Sequence, residues 1–139
     1  MKSPLDYARG LLQKAEHDLV AARATLATGQ AFDTICYHAQ QAVEKSFKAV
    51  LASHDIEFPK RHDLGELLDM VKPYLPDAAS YEGRIVNLMP YAVEVRYDVE
   101  FNPSADNAQE ALFVATTMYE LAKEHIESSD DQESDSEQE

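Results

Sequence analysis

From Phe32 to Ser53 the chain reads FDTICYHAQQAVEKSFKAVLAS, and this stretch decides the fold class. Phe32, Ile35, Ala39, Val43, Phe47 and Val50 recur three or four residues apart, so at about 100° per residue they share one side of a helix. An alternating strand cannot produce that spacing. The helix is predicted from about Asp33 to Ser53, with Cys36 on its apolar side as a small core residue rather than a nucleophile.

Working outward, Ser3-Pro4 is a helix opening, a capping hydroxyl followed by proline in the first turn. Ala8, Leu11, Leu12, Ala15, Leu19, Ala22 and Leu26 then repeat at helical spacing, and Gly29 supplies the stop. Residues 54–61, HDIEFPKR, form a polar, proline-broken loop. A short helix is expected from Asp63 to Val71, and another from Ala78 to about Val95 with Pro90 as an interruption. After the loop at Asn102-Pro103-Ser104, the spacing of Ala108, Leu112, Ala115, Ala122 and Ile126 predicts a last helix over Ala105 to Ile126. The expectation is an all-α fold, an antiparallel up-and-down bundle of four main helices plus one short helix.

Charge divides the chain in two. The 139 residues carry a formal net charge of −14, and the segment from Glu127 to Glu139, ESSDDQESDSEQE, holds seven acids and no base or apolar residue. It has nothing to bury against its ordering entropy, so a helical domain over 1–126 and a disordered acidic tail over 127–139 are expected. Even without that tail the body is acidic, which excludes a general nucleic-acid binder and leaves room only for a local anion site. No signal-peptide pattern and no membrane-length apolar run appear, and the single cysteine fits a reducing compartment, so a cytoplasmic protein without membrane association is expected. With one Cys, no CxxC, no HExxH and His17, His54 and His125 isolated, neither a metal site nor a cofactor is expected.

Three polar groups stand out. On the second helix, Gln41, Glu44, Lys45 and Lys48 lie in one arc with His38, opposite the apolar stripe, where Glu44 and Lys48 are spaced for an i,i+4 pair. Near residue 95, Tyr91, Glu94, Arg96, Tyr97 and Asp98 crowd a helix end. An arginine there clamps a phosphate with paired hydrogen bonds or forms a structural pair with Asp98 or Glu44; the chemistry alone leaves both open. His62-Asp63 at a helix start reads first as an N-cap and its neighbour.

Taken together, these segments resemble the HEPN domain family. The resemblance spans residues 4–126 and rests on AEHDLVAA at 15–22, YHAQQAVEKSFKAVL at 37–51, Phe58-Pro59, His62-Asp63-Leu64, and Tyr91 with Arg96-Tyr97. It implies a four- to five-helix bundle that dimerises and binds nucleotides or cuts RNA without metal, in some members beside a minimal nucleotidyltransferase in toxin–antitoxin pairs. Arg96 matches the arginine of the family's Arg, four to six residues, His motif, but Phe101, Asn102 and Pro103 stand where the histidine belongs. An amide does not shuttle protons near neutral pH, so the reading leans away from an enzyme.

The expected function is a homodimeric binding module contacting a nucleotide or RNA phosphate, a nucleotidyltransferase partner, or both. Arg96, Tyr97, Asp98 and Tyr91 form its core, Lys45 and Lys48 add positive charge, Glu44 orients them, and His62 stands further out. The alternatives are a metal-independent ribonuclease using Arg96 with a non-standard proton carrier, and a purely structural dimerising scaffold.

Overall fold

The computed structural model describes residues 2–60 and 63–137, with backbone alone from residue 130. All its regular structure is helical. Helix α1 spans Pro4–Leu26, α2 Phe32–Ser53, α3 Leu64–Val71, α4 Glu82–Val86, α5 Glu94–Tyr97 and α6 Ala105–Glu137. Helix α2 lies at the centre, packed along α1 on one side and α6 on another, with α3 against it as well. The expected antiparallel all-α bundle is what forms.

Local chemistry explains the boundaries. Ser3 Oγ accepts from Asp6 N at 3.1 Å while Ser3 N donates to Asp6 Oδ2, a capping box that opens α1. Ser104 and Asn107 make the same reciprocal pair at α6. Asp63 caps α3 by accepting from Glu66 N at 3.1 Å, as its position before Leu64 predicted. Helix α2 ends with Ile56 N bonded to Leu51 O and Asp55 N to Ala52 O, with Asp55 left-handed at φ 55°.

Ala31, just before α2, is also left-handed at φ 56°, ψ 49°, where a Cβ crowds the following carbonyl. Glycine takes this conformation without that clash. Ala31→Gly is therefore expected to raise unfolding free energy by about 0.5–1 kcal/mol, read as a higher urea midpoint at unchanged slope.

Two elements differ from expectation. The single helix predicted over 78–95 is a succession of short pieces: a 3-10 turn at Pro76–Tyr81, α4, a second 3-10 turn at Met89–Ala92, and α5. Pro90 has no N–H to donate and restricts Met89, so the chain leaves the α-helix at Asn87 and re-forms only after Val93. The last helix runs past Ile126, its backbone helical to Glu137, along a stretch with neither proline nor glycine.

The core gathers Leu19, Ile35, Phe47, Leu51, Leu67, Ile85 and Met118, all fully buried, together with Cys36. Polar bonds join the elements at its edge. Tyr119 on α6 donates its hydroxyl to Glu16 Oε2 on α1 at 3.1 Å, and its burial pushes the phenol up to about 12. Arg84 on α4 makes two hydrogen bonds with Glu110 on α6, at 2.7 and 2.6 Å, while lying over the rings of Tyr81 and Phe113. No described helix is long and apolar enough to cross a membrane.

At the far end of the bundle His54, the residue closing α2, meets His125 of α6 with Nε2 atoms 2.8 Å apart. Burial holds both imidazoles below the ordinary histidine value, and the facing His54 adds to the effect in His125. The unfolded chain takes up those protons near the ordinary 6.5. The stability contributed by the neutral pair is thus present above about 6.5 and is lost as pH falls through that value to the lower folded one. Urea unfolding at pH 7.5 and pH 5 should show a larger acid loss for the wild type than for His54→Gln.

Candidate functional site

The irregular run from Met89 to Phe101 lies against the N-terminal half of α2, and this contact builds the site. Tyr91 anchors it: its hydroxyl lies beside the Cys36 thiol, and its ring packs 5.9 Å from that of Phe101. Burial pushes Tyr91 up to about 12 and Cys36 up to about 11, so both stay protonated and inert at neutral pH. Tyr91 therefore turns inward, as an anchor rather than a lining group.

Arg96 on α5 turns the other way. Its guanidinium lies 5.1 Å from the ring centre of Tyr37 on α2 and 5.2 Å from that of Tyr97. Neither Asp98 nor Glu44 forms an ion pair with it among the described residues, so the structural pair left open by the sequence is not made. Asp98 instead turns its carboxylate to Glu100 N at 3.0 Å, and Asn102 Nδ2 donates to Val99 O at 3.3 Å. Arg96, Tyr97, Asp98, Phe101 and Asn102, with Asp33 from α2, surround a cavity of about 290 Å³. Tyr97 at 74% and Val99 at 91% exposure leave an uncovered apolar rim on it, and Val93, 58% exposed, lies in the same run of chain.

Further along α2 the polar arc is less solvated than its spacing suggests. Lys45 reaches across to α1 and donates to Asp18 Oδ2 at 2.6 Å, while His38 Nδ1 donates to Asp18 Oδ1 at 2.8 Å. Asp18 is itself only 8% exposed. Gln41 donates to Gln40 Oε1 at 2.7 Å. Lys48 stands 3.9 Å from the buried Glu44 carboxylate and 5.4 Å from the ring centre of Phe58. Both lysine charges are thus committed within the bundle. His62 lies outside the described residues.

Residues 8–126 match the sequence profile of the HEPN domain. The chain belongs to the HEPN family. A protein of Methanocaldococcus jannaschii named as a toxin candidate is 30% identical to this HEPN chain, over 88% of this chain and 90% of its own length. The crystal structure of an archaeal HEPN homologue superposes with a TM-score of 0.68 at 23% identity, over 91% of this chain and 99% of that one. That likeness shows the fold of this HEPN domain alone.

Within the HEPN bundle the structure brings together Arg96, Tyr97 and Asp98 and sets Tyr91 behind them. Lys45, Lys48 and Glu44 sit apart, two or more turns further along α2. Sequence reasoning missed Asp18 and Tyr37. Both lie inside stretches that carry the family resemblance, and Asp18 is also an acid at helical spacing among Ala15, Leu19 and Ala22 of α1, but neither sign gave it a partner.

Proposed function

We propose that this HEPN domain is a homodimeric binding module that contacts a phosphate of a nucleotide or of RNA through Arg96, in a toxin–antitoxin-like setting with a minimal nucleotidyltransferase as protein partner. The observation that carries the reading is the state of Arg96: a guanidinium lying over two aromatic rings, with no carboxylate paired to it among the described residues, lining a cavity. Cation–π contact with Tyr37 and Tyr97 limits its motion and leaves its N–H edge for two oxygens of a phosphate. Tyr97 is exposed enough to stack on a base. The apolar run of Val93, Tyr97 and Val99 supports a protein contact at the same place, since three large exposed apolar side chains within seven residues mark an interaction surface. The toxin name of the relative supports the setting.

The test is fluorescence anisotropy with a labelled single-stranded RNA and competition by nucleotides, alongside sedimentation for the oligomeric state. Saturable binding by a dimer is the expected result. A monomer with no affinity for either ligand at millimolar concentration sinks the reading.

One observation favours a second reading, a metal-independent ribonuclease. His38 is held by Asp18 through Nδ1, its Nε2 has no partner among the described residues, and its ring lies 5.6 Å from that of Tyr37, on which Arg96 stacks. A carboxylate-oriented imidazole near a phosphate-binding arginine has the parts for proton transfer that Asn102 lacks. RNA cleavage in EDTA that disappears in His38→Gln separates this reading from binding alone.

A further inference from the structure

The cavity beside Arg96 holds a second group that a phosphate contact does not use. Asp33, in the first turn of α2, lines it and stands one turn before Tyr37 on the same face of that helix. Its carboxylate makes no hydrogen bond and no ion pair among the described residues. We propose that Asp33 reads the base of the bound nucleotide and that this base is guanine, whose ring N1–H and amino group donate to the two carboxylate oxygens. Such recognition rests on the phosphate contact of Arg96, to which it adds the identity of the base.

Charge fixes which end of the ligand goes where. Among the described residues Arg96 is the one cation bordering the cavity, against the carboxylates of Asp33 and Asp98. A phosphate belongs at the guanidinium, because either carboxylate repels it. The far end of the ligand therefore meets acceptors. Asp98 is already engaged by Glu100 N at 3.0 Å. Asn102 donates its Nδ2 to Val99 O, which leaves its Oδ1 as a further acceptor. Asp33 alone offers two free carboxylate oxygens.

That set sorts the bases by their donors. Guanine presents two adjacent donors on its Watson–Crick edge, a match for both oxygens of one carboxylate. Adenine and cytosine present one amino group next to a ring nitrogen whose lone pair repels a carboxylate. Uracil sets its single N–H between two carbonyl oxygens. Unstacked bases are read through that edge while lying on aromatic rings. Tyr97 is exposed and Phe101 borders the same space, so aromatic surface is at hand for the guanine plane. The volume of about 290 Å³ lies at the small end of ligand pockets, enough for a single base.

The experiment is isothermal titration of the full chain with GMP, IMP, AMP and CMP, using wild type, Asp33→Asn and Arg96→Ala. GMP is expected to bind more tightly than AMP or CMP by about tenfold or more, the discrimination of one good bidentate pair. IMP keeps N1–H but lacks the amino group and should fall between. Asp33→Asn should bring GMP down to the AMP level while AMP affinity is unchanged, which also shows that the variant is folded. Deoxy-GMP should bind like GMP, since the carboxylate meets the base and not the ribose hydroxyls. Fluorescence anisotropy with UUGUU and UUAUU RNA separates the two sources of guanine. UUGUU bound more tightly than both GMP and UUAUU supports the proposal with RNA as the source. GMP bound as tightly as UUGUU supports it with the free nucleotide.

AMP binding equal to that of GMP, with both lost in Arg96→Ala, overturns guanine recognition and leaves the phosphate contact standing. A guanine preference that survives Asp33→Asn also overturns it, because the base is then read by another group. No binding of any nucleotide or RNA overturns both.

Discussion

Replacing Asp18 with alanine is expected to lower the unfolding free energy by about 2–3 kcal/mol, a large fraction of what a domain of this size possesses. The carboxylate is nearly buried and holds two partners at once, Lys45 at 2.6 Å and His38 at 2.8 Å. Its removal strands an ammonium and an imidazole against the α1–α2 seam. Both partners keep more than a quarter of their side-chain surface in water, so the cost falls below that of a fully enclosed pair. Asp18→Asn should cost less, because its amide oxygen still accepts one hydrogen bond while the charge is gone. A double-mutant cycle with Lys45→Met isolates the pair: Asp18→Ala should cost about 1–2 kcal/mol less in the Lys45→Met background than in the wild type. A loss below about 0.5 kcal/mol in urea unfolding would class the bridge with ordinary surface pairs.

The same residue marks how far the sequence could be read. The apolar stripe of α2, the caps at Ser3, Asp63 and Ser104, and the stop at Gly29 are local features, each written in a few adjacent letters, and each is found in place. The run from 76 to 97 was harder because burial of Ala78, Ile85 and Leu88 persists through it at roughly helical intervals. A 3-10 turn repeats every three residues and an α-helix every 3.6, so an apolar pattern over so short a span does not separate them. Pro90 announced a break without giving its extent.

The polar contacts were legible only in part. Arg96 stood out because a guanidinium, two tyrosines and two carboxylates crowd residues 91–98, but the ring of Tyr37 that it lies over comes from another helix and carries no sign of that role. Lys45 sits four residues from Gln41 and reads as one of a solvated face; its true partner is 27 positions away on α1. His54 and His125 are further apart still, and only the packing of α6 on α2 joins them. Helical spacing reports which side of a helix a residue occupies, whereas these pairs depend on what the opposite helix presents.

Arg96→Ala is expected to weaken binding of a single-stranded RNA oligonucleotide at least tenfold, with stability lowered by no more than about 1 kcal/mol. The two effects have separate causes. Stability loses cation–π contacts to Tyr37 and Tyr97, which are worth about 0.5–1 kcal/mol where water still reaches them. Binding loses a charge-assisted hydrogen bond to phosphate, worth about 1.5–3 kcal/mol, and tenfold corresponds to about 1.4. The body of the protein is acidic and repels a polyanion at long range, so few other cations replace the missing one. Lys45 and Lys48 are already engaged with Asp18 and Glu44. Arg96→Lys separates charge from shape: an ammonium keeps the attraction but has neither the planar fork nor the stacking surface, so it should recover only part of the affinity. Salt provides the second readout. Removing one phosphate contact should flatten the dependence of log affinity on log salt by about 0.7 for a single strand. If Arg96→Ala binds as tightly as the wild type with the same salt slope, the phosphate lies elsewhere on the protein, and the stacked guanidinium serves only to fasten α5 to α2.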